Sequence, residues 1–375
     1  MTTTSMPPTP KPPTPRPPTS LPPTSRRPDV ELAPALRAIS ETRGRVRRRA
    51  TLVVGGLLVL LLAAFTARVL LGDFTITVPD FFRIVGGADI PAATYILMEQ
   101  KLPRAVVGVL AGVALGATGA TFQSMARNPL ASPDVLGITL GCSAAAVTAS
   151  VLFGASAGVV SLAALGGGAA VAVCLVVLSG SHAGAAPGRM ILVGIALAAM
   201  LVSVIHWVMV RADIYQAHEA MVWLTGSLNG VTWTEIRVLA LIVAVTLPLL
   251  LYAGAHLQVV ELGDDLASGL GRPPQATRSR AIALVVVLTA ATTAVCGPIV
   301  FVAFLSGPIA RRLLRGRHSL LAAGLVGAVI VVLADYLAAY ALPSSNFPVG
   351  VVTGLAGAPF LLWLLATSRP STQSA

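Results

Sequence analysis

The sequence predicts an all-α membrane protein: a polytopic bundle of ten transmembrane helices, one of them short, with an additional helix on the cytoplasmic side. Three observations support this prediction. The mean hydropathy of the 375 residues is +0.83 and only 11% of them are charged, whereas soluble domains carry about 25%. Several apolar runs are long enough to cross a hydrocarbon core of about 30 Å. The chain also contains 35 glycines, and small residues favour close helix packing in lipid.

The first 45 residues form a separate segment, a Pro/Thr-rich tail that we expect to be disordered and cytoplasmic. Residues 1–30 hold 11 of the 27 prolines together with many threonines and serines. Such a composition cannot bury an apolar core and favours polyproline II. A Pro-x-x-Pro ligand for a partner protein is the alternative interpretation. The transmembrane domain is then expected over 46–368, with a short cytoplasmic tail at 369–375.

Five arginines between Arg43 and Arg49 precede the first apolar run, 50–71. Because this run begins far from the N-terminus and no clear cleavage site follows it, we predict a first transmembrane helix rather than a signal peptide. A twin-arginine export signal is the alternative. In the transmembrane interpretation, the N-terminus lies in the cytoplasm.

Nine further apolar runs follow, at 104–124, 135–153, 156–179, 189–210, 236–256, 279–299, 300–313, 319–342 and 349–367. The run 300–313 is short and contains Gly307 and Pro308, so we expect a half-length helix there. An even number of spans places both termini on the same side. Arginines are concentrated in the loops that this arrangement places inside, which is the pattern of the positive-inside rule.

The stretch from Lys101 to Gly137 is the most distinctive part of the chain. Gly108, Gly112 and Gly116 recur at about one helical turn, so they predict a face that another helix can approach closely. The run then breaks at 128–133, an Asn-Pro-Leu-Ala-Ser-Pro segment. Irregular backbone beside a membrane must be buried in protein or line a watery cavity. The stretch therefore indicates either a pathway across the membrane or an ordinary packed helix followed by a turn.

Several kinds of chemistry are absent from the sequence. The only lysines are Lys11 and Lys101, and neither follows a glycine, so the chain lacks the Gly-Lys of a nucleotide-binding P-loop. It has no HExxH or CxxC motif, which excludes the common zinc signatures. We therefore expect no enzyme activity, no cofactor, no metal site and no nucleic-acid partner in this chain.

Asp335 is the one carboxylate well inside an apolar run. Because intramembrane acids are costly, they are functional candidates by default. The alternative interpretation is a structural hydrogen bond between helices. A proton-coupled transporter would usually carry more such acids than this one.

A short amphipathic helix is predicted between the sixth and seventh runs. Leu262, Leu266 and Leu270 recur at four-residue spacing, and the flank carries Asp264 and Asp265. An apolar ridge of this kind can dock into a groove on a partner. The alternative is a helix on the bilayer surface, which an acidic flank fits poorly because the inner leaflet is anionic.

The ordered set of motifs resembles the FecCD-type permease subunits of bacterial ABC importers for iron–siderophore complexes, haem and cobalamin. The matching segments span about residues 50–367 in order: Lys101-Leu-Pro-Arg104, Asn128-Pro-Leu-Ala131 with Leu136-Gly137, Trp223-Leu-Thr-Gly-Ser-Leu228, Leu262-Gly263 with Gly269-Leu-Gly271, Gly297-Pro-Ile-Val-Phe-Val302, Ile309-Ala-Arg311, Ala334-Asp335, and Phe347-Pro-Val-Gly-Val-Val-Thr353 with Gly357-Ala-Pro-Phe360.

The resemblance implies a second permease subunit, two cytoplasmic ATP-binding subunits and an extracytoplasmic substrate-binding protein or lipoprotein. It implies a cytoplasmic coupling helix that meets the ATP-binding subunits, formed by Leu262, Gly263, Asp264, Asp265, Leu266, Ser268, Gly269, Leu270 and Gly271. Lys101 and Arg104 are implied as outer residues that pair with acidic groups of the binding protein. Asn128 and Leu130, with the turn Ala186, Pro187 and Gly188, are implied as the cytoplasmic gate.

The chain departs from the family's pattern at three places. Ala339 stands where members often carry an arginine, and Asn346 stands where a glutamate is frequent. Gly307-Pro308 replaces a frequent Pro-His, so the short eighth helix is expected to start differently. The proline-rich tail lies outside the pattern.

The function expected from the resemblance is that of a transmembrane permease subunit of an ATP-driven importer in a bacterial cytoplasmic membrane, translocating ferric siderophores. Haem or cobalamin as cargo, and a homodimer or a pairing with a sister permease, stay open. The alternative class is a proton-coupled secondary transporter in which Asp335 carries the proton.

Overall fold

The computed structural model describes residues 32–179, 187–341 and 346–367, and these ranges contain helices and no β-strand. Besides one single turn, Ala93–Tyr95, thirteen α-helices follow one another in the described residues: α1 Leu32–Leu70, α2 Val78–Val85, α3 Leu102–Ala126, α4 Ile138–Phe153, α5 Ala157–Ser179, α6 Pro187–Met209, α7 Ile214–Thr225, α8 Trp233–Val260, α9 Asp264–Gly269, α10 Pro274–Cys296, α11 Val302–Leu313, α12 Leu320–Tyr340 and α13 Val349–Thr367. A π-helical turn, Ile96–Lys101, leads directly into α3, and a 3-10 turn, Pro133–Leu136, precedes α4.

The ten predicted spans each correspond to one helix of the described residues. Seven helices are long and apolar enough to cross a membrane, and α4 and α13 are shorter apolar helices. The tenth span is α11, whose 12 residues extend about 18 Å at 1.5 Å per residue. The prediction of ten spans, one of them half-length, is confirmed. The helix predicted outside the bundle is α9.

The chain divides into two units, Met1–Arg49 and Ala50–Ala375. In the first unit, the described residues are the beginning of α1, where Arg45 lies 3.9 Å from Glu41 across one exposed helical turn. The second unit contains all the other helices. Of the tail predicted over 1–45, residues 1–31 lie outside the described residues, and residues 32–45 are helical because α1 begins at Leu32.

The centre of the second unit is formed by α3, α10 and α12. In their most apolar windows, 78%, 61% and 67% of the residues are buried, against 22% or fewer in α5, α6 and α8. Helix α3 packs on α12, α11, α10 and α8. The peripheral helices instead expose leucine, valine and isoleucine, as expected for surfaces that face lipid or another membrane subunit.

The glycine stripe of α3 lies against α12, as the spacing predicts. A methyl group added at Gly112 would overlap the backbone of Gly327 and Ala328, and one added at Gly116 would overlap the backbone of Ala323. Because the obstacle is main chain, it cannot move aside as a flexible side chain would. The two helices therefore pack backbone to backbone over this stretch.

We expect Gly116→Ala to destabilise the protein by about 1–3 kcal/mol, because the new methyl group overpacks the α3–α12 contact. Gly55→Ala in α1 is the matched control, since no atom lies within 4 Å of the added methyl group. Thermal unfolding of the detergent-solubilised variants measures both effects. Equal unfolding temperatures of Gly116→Ala and Gly55→Ala would show that α3 and α12 can move apart to accommodate the methyl group without loss of stability.

Candidate functional site

Polar side chains gather at both ends of α3. Arg104 lies in its first turn and Ser124 in its last, and the 20 residues between them span about 30 Å, the thickness of a hydrocarbon core. We call the first group the Arg104 cluster (Arg68, Arg104, Asn229, Asp335 and Asn346). We call the second group the Glu261 cluster (Ser124, Arg127, Val260 and Glu261).

Asp335 is the centre of the Arg104 cluster. Its side chain is 1% exposed and accepts two hydrogen bonds, one from Arg68 Nε at 2.5 Å and one from Arg104 Nε at 2.7 Å. The three residues belong to α1, α12 and α3, so one carboxylate joins three helices. Both guanidinium groups are also buried. Loss of the carboxylate would leave them without a counter-ion, which is strongly destabilising.

The cluster contains two positive charges and one negative charge. Arginine stays protonated in proteins, so the second positive charge is balanced by neutral groups. Arg104 Nη1 donates to the amide oxygen of Asn229, and Nη2 lies 3.4 Å from that of Asn346. One edge of the Arg104 guanidinium is thus held by Asp335, and its two terminal nitrogens contact only amides.

A cavity of about 920 Å³ opens beside this cluster. Its wall includes three basic residues, Arg68, Lys101 and Arg104, and two acidic residues, Asp73 and Glu99. Lys101 is 5% exposed, and its Nζ donates to the carbonyl oxygens of Leu71 at 2.8 Å and Phe74 at 2.6 Å. The cavity wall therefore carries one more positive than negative charge, and its cations are held in fixed positions.

These positions differ in part from those that the sequence led us to expect. Lys101 and Arg104 were expected as outer docking residues, but they are 5% and 8% exposed and bonded within the chain. Their docking role stays a prediction. Asp335 makes hydrogen bonds between helices, as in the alternative interpretation of its role, and its partners are two arginines. The sequence analysis missed Arg68, although a basic residue in the last turn of an apolar run could have been matched with the single intramembrane acid.

At the other end of α3 lies helix α9, which carries Leu266 of the predicted apolar ridge, while Leu262 and Leu270 lie just beyond its two ends. It begins at Asp264 and ends at Gly269, so it is shorter than the predicted 262–271. Leu262, Leu266 and Leu270 are each more than 60% exposed, whereas Ala267 is fully buried. Gly263 and Gly271 have φ of +123° and +72°, which other residues rarely adopt, and so mark the chain reversals on either side.

An ion pair fixes the start of α9 to α10. Arg278 Nη1 and Nη2 donate to the two carboxylate oxygens of Asp264 at 2.9 and 2.8 Å. This bidentate hydrogen bonding lowers the pKa of Asp264. The contribution of the pair is therefore present above the unfolded-state pKa of about 3.9 and is lost as the pH falls through the lower folded-state pKa.

The gate residues of the sequence prediction lie on two segments. Asn128 and Leu130 form the turn after α3, where the Asn128 side-chain oxygen accepts from the Leu130 N–H at 2.9 Å. Pro187 and Gly188 are the first residues of α6, and Ala186 lies outside the described residues. Helix α6 packs against the 3-10 turn that follows Leu130. This packing alone does not bring Asn128 or Leu130 into contact with Pro187 or Gly188, and the gate itself stays a prediction.

Among the described residues, no three His, Cys, Asp or Glu side chains group as metal ligands would. The arrangement is suited to binding partners and transmitting movement. A cavity lined by three cations lies at one end, an exposed apolar ridge lies at the other, and helix α3 connects them.

Comparisons with known proteins agree with these features. The model of the FecCD transport family matches residues 59–367. The ferric enterobactin transport system permease protein FepG of Escherichia coli is 37% identical over 295 residues, which cover 78% of this chain and 89% of FepG. The achromobactin transport system permease protein CbrC of Dickeya dadantii is 34% identical over 335 residues, covering 87% of this chain and 95% of CbrC.

A solved structure described as an inward-facing conformation of a metal-chelate type ABC transporter has the same fold. Its TM-score is 0.75 at 23% identity, and the match covers 84% of this chain and 99% of that chain. At this identity the likeness shows the fold alone.

We expect Asp335→Asn to destabilise the protein by about 3–5 kcal/mol, because two buried guanidinium groups lose their only anion. Asp73→Asn is the matched control, since Asp73 lines the same cavity but is exposed. Thermal unfolding in detergent compares the two variants. The ion-pair assignment is wrong if Asp335→Asn unfolds at the same temperature as Asp73→Asn.

Proposed function

The chain belongs to the FecCD transport family, and from this premise we propose that it is the transmembrane permease subunit of an ATP-driven importer for ferric-siderophore complexes. Curated relatives named as permeases for ferric enterobactin, ferric citrate and achromobactin support the cargo class. ATP hydrolysis is assigned to separate cytoplasmic subunits, because the sequence has no Gly-Lys for a P-loop.

The observation that carries this proposal is the exposed leucine ridge outside the bundle, formed by Leu266 of α9 and by Leu262 and Leu270 just beyond its two ends. Three large apolar side chains that are each over 60% exposed mark a surface for a partner. The acidic flank of α9 disfavours an anionic leaflet as that partner. A groove on an ATP-binding subunit fits both the apolar ridge and the acids beside it.

The proposed orientation follows from charge. Arg311, Arg312, Arg315 and Arg317 lie in and after α11, whose Arg311 bonds to Gln123 in the last turn of α3. By the positive-inside rule, this end faces the cytoplasm. Both termini then lie in the cytoplasm, and the Arg104 cluster faces the extracytoplasmic side of a bacterial cytoplasmic membrane.

The cationic cavity at the Arg104 end supports docking of an extracytoplasmic binding protein. Lys101 and Arg104 line this cavity, and their side chains are mostly buried and held in place. They therefore attract acidic groups that come close to the cavity, and they do not reach out as mobile surface side chains would. The two terminal nitrogens of Arg104 contact only neutral amides. A docked carboxylate would supply a negative charge to balance this guanidinium through two parallel hydrogen bonds.

The proposed mechanism is alternating access with a second permease subunit. The ATP-binding subunits favour one arrangement of α9 when they hold ATP and another when they do not, and only this difference in affinity can shift the helices. The gate at 128–130 and 187–188 then opens or closes. A proton-coupled mechanism through Asp335 is not supported, because that carboxylate is held by Arg68 and Arg104.

We expect Leu266→Asp to abolish ATP-driven uptake of labelled ferric siderophore in proteoliposomes that contain the complete complex. The change places a charge in the apolar contact, so association with the ATP-binding subunits should fall at least tenfold. Tyr215→Asp, at an 85% exposed position of α7, is the control and should leave association unchanged. Uptake by this chain without ATP-binding subunits, driven by a pH gradient, would overturn the proposed function.

We expect Asn346→Asp to weaken association with the binding protein about three- to tenfold at low ionic strength, because Arg104 then finds its second anion within the chain. Asn346→Ala removes the same amide without adding charge and should have a smaller effect. Association is measured at low and high salt. If Asn346→Asp and Asn346→Ala bind the binding protein with equal affinity at low salt, Arg104 does not take part in docking.

A further inference from the structure

The last turn of α3 is tied to the chain segment that leads into α9. Ser124 Oγ donates to the carboxylate of Glu261, and Arg127 Nη2 donates to the carbonyl oxygen of Val260 at 3.0 Å. Val260 is the last residue of α8, and Glu261 stands three residues before α9 begins. The junction between α8 and the proposed coupling helix is therefore bonded to the end of α3, through Ser124 of its last turn and through Arg127, the residue that follows the helix.

The backbone at Arg127 is unusual in a way that supports this tie. Arg127 has φ +48° and ψ +31° at the end of α3, and its N–H donates to the Ser124 carbonyl oxygen while the Asn128 N–H donates to that of Gln123. This pattern normally has glycine at the left-handed position. An arginine there is disfavoured relative to glycine, and what it adds is the guanidinium that reaches Val260.

The same turn of α3 leads directly to the predicted gate. Asn128 follows Arg127 in the chain, and its side chain closes the turn onto Leu130. On its other side, the turn is held to α11, because Gln123 Nε2 donates to the Phe304 carbonyl oxygen at 2.9 Å. Any displacement of the α8–α9 junction therefore acts on the residues immediately before Asn128.

We propose that Glu261 is a positioning residue that transmits the movement of α9 to the end of α3, and thereby to the gate segment at Asn128. The inference rests on the proposed function. The leucine ridge binds the ATP-binding subunit. The connection Glu261–Gly263 moves together with α9 because it is only three residues long. Ser124 and Arg127 are bonded to this junction and move with it.

The test compares Ser124→Ala, Glu261→Ala and their double variant in the complete complex reconstituted into proteoliposomes. For each, ATP hydrolysis and uptake of labelled ferric siderophore are measured together. We expect ATP hydrolysis within about twofold of the wild type and uptake per ATP reduced about tenfold, the effect typical of losing a hydrogen bond to a charged group. The double variant should be no worse than either single variant, since all three break one contact.

Ser143→Ala is the matched control, because this buried hydroxyl donates only to Thr139 in its own helix. It should leave uptake per ATP unchanged. Additive losses in the double variant, or an uptake-to-ATP ratio equal to that of the control, would overturn the role of Glu261. If the wild-type complex shows no ATP-dependent uptake, the proposed function itself has failed, and this inference fails with it.

A second measurement keeps the proposal testable if the alanine variants do not fold. Ser124→Cys and Glu261→Cys are introduced together with Cys174→Ser, because Cys174 is the exposed native cysteine of the described residues. A short bifunctional thiol reagent then bridges the pair. If the junction moves as one body, the bridged complex should transport at a rate within about twofold of the unbridged complex. Arrest of transport by the bridge would show that the contact must open, which contradicts the proposal.

Discussion

The most extensive helix contact in the described part of the bundle, between α3 and α12, determines how the polar groups of the chain can be used. Lipid offers little hydrophobic driving force for helix association, so close van der Waals approach at small residues has to supply it. Glycines on both helices make that approach possible, since a methyl group at Gly112 or Gly116 would overlap main chain. Helix α3 is consequently enclosed by neighbours along its length, and the polar groups at its two ends are held about 30 Å apart.

The two ends satisfy their polar groups in different ways. At the Arg104 end, two arginines share the carboxylate of Asp335, and all three side chains are at least nine-tenths buried. Such ions are tolerated near a bilayer only when each is paired or hydrogen-bonded. At the Glu261 end, the acid of α9 that pairs with Arg278 is about half exposed, and such pairs contribute little to stability. The first end is thus a structural anchor, and the second is a set of weaker contacts.

Much of the fold was predictable because it depends on patterns that are local in sequence. Apolar runs predicted the ten spans, the glycine spacing predicted that another helix packs closely on α3, and the leucine spacing predicted the exposed leucines in and beside α9. The clusters were less accessible, because they depend on residues distant in sequence. Arg68 and Asp335 are separated by 267 residues, and nothing local indicates that α1 and α12 meet there. Basic residues in the Lys101-Leu-Pro-Arg104 motif suggested an exposed pair, but burial depends on the neighbouring helices.

The difference between the two ends suggests where movement is concentrated when a partner acts on α9. Breaking the Asp335 pairs would cost about 3–5 kcal/mol, whereas a single hydrogen bond such as that of Gln123 to the Phe304 carbonyl contributes about 0.5–1.5 kcal/mol. A partner can shift an equilibrium only by its difference in affinity for the two states, and such differences are typically a few kcal/mol. That amount can rearrange contacts around the end of α3 near Asn128 but not the ion cluster at Arg104. Helix α3 is therefore expected to pivot about its Arg104 end, which would let the gate move while the docking surface keeps its shape.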